Sequence, residues 1–141
     1  MDARDLATVD VVADVGNLPF SEGEVDEIYS AHLIEHFTLL RLEKELLPHW
    51  FSRLKDGGVI RLVFPDLPAM IAAYTAGEMS FDELGEVIMG GQDYALDYHY
   101  AVHSVERVAA LLEKTGFKDI RIVAEGRKNG QCRESEITAV K

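Results

Sequence analysis

A chain of 141 residues, 48% apolar and 28% charged, has the make-up of one globular domain that buries roughly two thirds of its unfolded surface. Its 25 acidic against 14 basic residues, a net charge of −11, argue against a nucleic-acid partner, because a phosphate backbone calls for clustered Lys and Arg. No apolar run approaches the ~20 residues of a membrane span, the first residues lack a signal peptide's basic and apolar regions, and the single cysteine, Cys132, excludes an internal disulfide and a thiolate metal cage. A cytoplasmic protein with no membrane partner is the expectation.

After a polar lead-in, Val9 to Ala13 predicts a short buried strand ending at Asp14. Gly16 and Pro19 punctuate a loop that Leu18 and Phe20 would pin to the body. Asp26 to Ala31 is a second β-prone run, ending at the polar cluster His32–Glu35–His36. Leu40, Leu47, Phe51 and Leu54 then recur at helical spacing. Pro48 cannot sit in a helix interior, so two helices are predicted: one from Thr38 to Leu46, and a second with Pro48 in its first turn. Asp56-Gly57-Gly58 predicts the helix stop, and Val59 to Phe64 reads as a strand buried on both faces.

Strand, helix and strand in this order make a parallel, right-handed unit. Ligands of such units bind beyond the carboxyl ends of the strands, here near His32–His36 and Pro65–Asp66. Asp66, with Pro68 in the first turn, caps a helix running to about Ala76. Ser80 and Glu83 have capping-box spacing and start another, ended by Gly90-Gly91. Gln92 to His103, rich in polar aromatics, reads as a loop. Ser104 caps a helix carrying Val105, Val108, Leu111 and Leu112 and ending at Gly116. Phe117 to Ala124 and Glu136 to Val140 form a closing antiparallel hairpin across a polar turn, Gly126 to Arg133, which holds Cys132.

Three clusters invite chemistry. His32-Leu33-Ile34-Glu35-His36 fits H-x-x-E-H, a zinc-protease pattern that needs both histidines on one face of a helix. The strand before His32 places it at a strand end instead, so a zinc hydrolase built on His32, Glu35 and His36 is the third reading, and no metal is assigned in the first. Tyr98, His99, Tyr100 and His103 suit either a pocket for a small-molecule acceptor or a hydrogen-bonded loop packed on the sheet. Trp50 and Phe51 read as core, and Cys132 has no partnered base that would make it a nucleophile.

DVVADVGNLPFSEGEVDEIYSAHLIEHF, then LKDGGVIRLVFPD, then the Ser104-capped helix ending LLEKTGF, together resemble a class I S-adenosylmethionine-dependent methyltransferase of the type 11-like group. The resemblance covers nearly the whole chain in order. It implies an α/β, Rossmann-like sheet, mostly parallel with a C-terminal antiparallel hairpin and helices on both faces, in a single domain over residues 1–141. It further implies S-adenosylmethionine as cofactor. Asp14 and Val15 would hold the adenine, with Leu18 packed near it, and Asp2 would grip the ribose. His32 would face the methyl donor, with His32 and His36 as the catalytic pair. Glu35, Tyr98, His99 and His103 would line the acceptor.

The family's opening strand and its glycine-rich D/E-x-G-x-G loop find no counterpart in the sequence. On the resemblance the domain is N-terminally truncated, and the strand Asp26 to Ala31 loses the neighbour it has in the complete sheet. A free edge of that kind seeks a partner. Either Val9 to Ala13 pairs with it, or a second copy does, and the expectation is a homodimer through the exposed edge. Two readings of function therefore stand ahead of the zinc hydrolase: a methyltransferase-like domain, inactive or a fragment for want of the loop, and a non-catalytic module that self-associates or binds a partner.

Overall fold

The computed structural model describes residues 7–141. Asp2 lies outside them. Among the described residues four strands form one open sheet: β1 (Val25–Ala31), β2 (Leu54–Pro65), β3 (Lys118–Asn129) and β4 (Cys132–Val140), in the order β1-β2-β4-β3. β1 runs parallel to β2, with Ile28 opposite Ile60 and Ser30 opposite Leu62. β4 then enters antiparallel between β2 and β3, placing Ile137 opposite Leu62. The sheet is parallel where it starts and antiparallel through the hairpin. Among the described residues β1 has no strand on its outer side. Residues 9–13, expected as a strand, contribute only an isolated bridge residue at Val12, outside the four-stranded sheet.

The helical path after β1 is less broken than Pro48 suggested. Thr38 caps α1 (Leu39–Arg41), accepting from the Arg41 amide, and α2 (Leu47–Arg53) contains Pro48. Leu42–Leu46 joins the two as a π-helical turn in which the Leu47 amide donates to the Leu42 carbonyl. That wider turn makes room for the proline ring, so the helix continues where two separate pieces were expected. Asp56-Gly57-Gly58 is not the helix stop either. The chain turns extended at Leu54, and the glycines sit in the irregular start of β2. Gly58 is needed there: a Cβ would come within 2.9 Å of the Lys55 carbonyl oxygen.

The remaining helices follow their local signals. α3 (Leu67–Thr75) is capped by Asp66, α4 (Phe81–Met89) by a complete Ser80/Glu83 capping box, and α5 (Val105–Thr115) by Ser104, with Gly116 left-handed at its end. The main core joins Leu46, Trp50 and Leu54 to Leu62, Leu112 and Ile137. Each such side chain contributes ~1.5–3 kcal/mol on burial. The 14–20 loop is tied to it: Trp50 Nε1 donates to the Val15 carbonyl at 2.8 Å, and the Leu18 amide donates to His49 Nε2 at 2.8 Å.

A smaller core of Met70, Ala73, Met79 and Cys132 packs α3 and α4 against the start of β4. Cys132 and Ile137 are five residues apart on one strand and so face opposite sides, which puts helices on both faces of the sheet. Cys132 was expected in a polar turn. It is instead the first residue of β4, 8% exposed, with its thiol pushed up to about 12 by burial and the nearby Glu134. The hairpin closes in two residues, Gly130 supplying the positive φ (58°) that such turns require.

Candidate functional site at the carboxyl ends of β1 and β2

β1 delivers His32 and β2 delivers Asp66 to one end of the sheet. The His32 amide donates to the Val63 carbonyl at 2.9 Å, which anchors the turn to β2. His32 adopts φ 48°, a left-handed conformation that costs a non-glycine residue ~1–2 kcal/mol. The next residues form a short 3₁₀ turn, Ile34–His36. His32 and His36 therefore do not share a helix face, and the zinc-protease pattern fails on its own geometric requirement.

The His32 ring lies between two buried acids. Its Nε2 is 2.8 Å from Glu134 Oε2, and its Nδ1 is 3.6 Å from Glu35 Oε1. Glu134 is held by Asn129 and Arg127 as well. Burial pushes its pKa up, but the hydrogen bonds from Asn129, His32 and Arg127 outweigh that and bring it down to about 2. Glu35, 1% exposed, has neither carboxylate oxygen in a hydrogen bond with another group. Burial raises it to about 7, against small opposing effects of its own backbone amide and of His32.

The segment before α5 folds onto this turn. The amides of Tyr100 and Ala101 both donate to the Glu35 carbonyl, at 2.8 and 3.2 Å. His36 Nδ1 donates to the Tyr98 carbonyl at 3.1 Å, and His99 Nδ1 to the Val87 carbonyl at 2.8 Å. The two rings meet edge to face, with centroids 4.6 Å apart. Burial and the neighbouring His36 hold His99 below the usual imidazole range. Beside Glu35 and His99 lies a cavity of about 10 Å³, walled by Met70, Val87 and Val102, with room for about one water.

Of the four expected acceptor residues, Glu35 and His99 come together with His36. Tyr98 contributes its carbonyl and leaves its side chain 41% exposed. His103 is 2% exposed, packed edge-on to Phe64 at 6.0 Å, and burial pulls it down to about 4. On the cofactor side, Asp14 Oδ1 accepts from the Gly16 amide at 2.8 Å, and its Oδ2 lies 3.7 Å from Arg41. Arg41 in turn covers the Phe37 ring at 4.8 Å, which connects Asp14 to the His36 turn. Val15 offers its carbonyl to Trp50, and Leu18, 6% exposed, belongs to the main core.

Reading the sequence missed Arg127, placed in a polar turn, and Glu134, placed in no element. They lie on a ladder across the sheet: Glu27–Arg61 at 3.6 Å, Arg61–Glu136 at 3.0 Å, Arg127–Glu136 at 3.1 Å, then Arg127–Glu134. Glu27, Arg61, Arg127 and Glu136 of this ladder, with Tyr29, line an open depression of about 600 Å³. The alternation Arg127-x-Asn129 and Glu134-x-Glu136 was the available signal, a period of two that belongs to strands.

No family model matches this sequence, and no curated protein does. Solved structures do match. A SAM-dependent methyltransferase from Archaeoglobus fulgidus is 18% identical with a TM-score of 0.60, over 93% of this chain and 66% of that one. The 1,6-didemethyltoxoflavin-N1-methyltransferase of Burkholderia thailandensis, solved with S-adenosylhomocysteine, is 15% identical with a TM-score of 0.60, over 93% of this chain and 49% of that one. Phosphoethanolamine N-methyltransferase 2 of Haemonchus contortus, solved with S-adenosyl-L-methionine, is 14% identical with a TM-score of 0.60, over 91% and 36%. The chain has the class I methyltransferase fold, and it spans about a third to two thirds of the length of these structures. Among the described residues no helix is long and apolar enough to cross a membrane.

Proposed function

We propose that this chain carries the acceptor side of an S-adenosylmethionine-dependent methyltransferase site. The observation that carries the reading is the docking of the 98–103 segment on the His32–His36 turn, through two amides on the Glu35 carbonyl. It gathers Glu35, His36 and His99 at the strand ends where ligands of this fold class bind. The cofactor end fits in part. Asp14, 63% exposed, presents a carboxylate oxygen able to accept from an adenine amino group, whereas Leu18 is committed to the core and offers no face to a ring.

The bound cofactor would supply an electrophilic methyl group. This chain's residues would orient the acceptor and take its proton, alignment being the larger part of the rate. His36 is the better placed of the two catalytic candidates. Its Nδ1–H is spent on the Tyr98 carbonyl, so Nε2 keeps its lone pair, while His32 Nε2 is occupied by Glu134. Calorimetric titration with S-adenosylmethionine and S-adenosylhomocysteine tests the reading. Saturable binding that weakens in Asp14→Ala supports it, and no heat at millimolar cofactor removes it.

A second reading rests on the outer edge of β1, which has no strand partner among the described residues. It is a homodimer in which β1 pairs across copies, leaving the sheet as an interaction module. Light scattering of the purified chain gives twice the monomer mass if this holds, and the monomer mass if it does not.

A further inference from the structure

The geometry points to Glu35, His36 and His99 as a binding site for one divalent first-row transition cation, Zn²⁺ being the best fit to two imidazoles and a carboxylate. The inference stands on observations of its own, although a bound ion would take the His36 Nε2 lone pair that the methyltransferase reading gives to the acceptor's proton. It differs from the H-x-x-E-H pattern, because it replaces His32 by a residue more than sixty positions downstream.

Three observations converge on it. Each of these residues has one candidate ligand atom, a ring nitrogen or a carboxylate oxygen, within 4.8 Å of those of the other two. Donors around a metal at ~2.0–2.1 Å stand ~3.4 Å apart in tetrahedral geometry, so the set closes on an ion by a movement of about 1 Å. Both rings direct Nδ1 at a backbone carbonyl, Tyr98 for His36 and Val87 for His99. A carbonyl only accepts, so Nδ1 carries the proton in each ring and Nε2 is left with a free lone pair. An outer hydrogen bond of this kind is what orients metal-ligating histidines.

The third observation is Glu35 itself, a carboxylate buried to 1% exposure whose oxygens accept no hydrogen bond, the His32 ring standing 3.6 Å from Oε1. Folding away a carboxylate without a hydrogen bond is expensive, and coordinating a cation is one of the ways a buried charge is accommodated. His36 and His99 are only part-buried, so the site opens on their side. The overall charge of −11 favours a cation over an anion. Three protein ligands leave a fourth position open, the arrangement of a reactive rather than a structural centre.

The test is metal uptake by the full chain, first stripped with a chelator and then titrated with ZnCl₂. One Zn²⁺ per chain is expected, with a higher melting temperature. Glu35→Gln and His99→Gln should each weaken binding at least ~10-fold, and His32→Gln should leave it within about 2-fold. Glu35→Gln is isosteric, and circular dichroism verifies that each variant is folded. Titration with CoCl₂ reads the site in the unaltered protein, where intense visible absorption marks a low-symmetry nitrogen and oxygen set. No uptake at ~1 mM Zn²⁺, or uptake that depends on His32 and not on His99, overturns the inference, as does a featureless Co²⁺ spectrum. Cofactor titration of the stripped protein is a separate measurement, so either proposal can fail without the other.

Discussion

Glu35 and Glu134 are the same side chain at nearly the same depth, 1% and 4% exposed, and the ring of His32 touches both. They behave as opposites. Glu134 receives hydrogen bonds from Arg127, Asn129 and His32 and is held at about 2, whereas Glu35 receives none from another residue and is raised to about 7. Burial raises both acids, and partners decide how far: the sheet supplies hydrogen-bond donors on the ladder side while the turn after β1 does not. The ladder is a finished structural device. The Glu35 end is unfinished, and unfinished polar groups are where ligands act.

The sharpest way to separate the two regions is pH, in protein free of metal. Glu35 has a folded pKa of about 7 against an ordinary 4.5, so its contribution is complete below pH 4.5 and shrinks by about 3 kcal/mol as pH rises through 7. Buried His103 runs the other way. With a folded pKa of about 4 against 6.5, its contribution is complete above pH 6.5 and shrinks by about 3 kcal/mol as pH falls through 4. Between pH 4.5 and 6.5 the two slopes oppose each other. Urea midpoints should show Glu35→Gln losing stability towards acid and His103→Phe losing it towards base. Parallel profiles in the two variants would break the contrast.

A smaller effect is expected on the ladder. Glu134→Ala removes the acceptor of three donors at once and should cost ~1–3 kcal/mol at pH 7, while the isosteric Glu134→Gln should recover part of it. Chemical denaturation of both variants checks the ordering. If Glu134→Ala were neutral, the ladder would be a surface decoration and the comparison with Glu35 would lose its force. The smallest effect belongs to Glu27→Gln, at the ladder's exposed end, where Glu27 is 54% exposed and 3.6 Å from Arg61. Its melting temperature should match the parent, corresponding to less than about 0.5 kcal/mol.

Much of this architecture was legible in the chain because its signals are local. Asp66, the Ser80–Glu83 box and Ser104 announce helix starts through hydrogen bonds to amides two or three residues away, and each of those caps forms. The buried run ending at Phe64 and the polar cluster after Ala31 likewise give the strand ends at which the candidate site is placed. The errors have two causes. Pro48 was absorbed by a wider π turn just before it, a local geometry that the rule against helical proline does not anticipate, and the charges of 126–133 became cross-strand pairs because their partners arrive from another strand.

The amino-acid sequence by itself determined the caps, the apolar faces, the parallel β1–β2 pair and the place of His32–His36 at its end, since period and capping act over a few residues. Only the tertiary structure decided that β4 would slip between β2 and β3 and bring Glu134 to His32, 102 positions away. It likewise brought His99 beside His36 and left the Glu35 carboxylate without a hydrogen bond. The physical reason is that a polar side chain's state is set by what it meets when buried, and in this chain the deciding partners arrive from the far end.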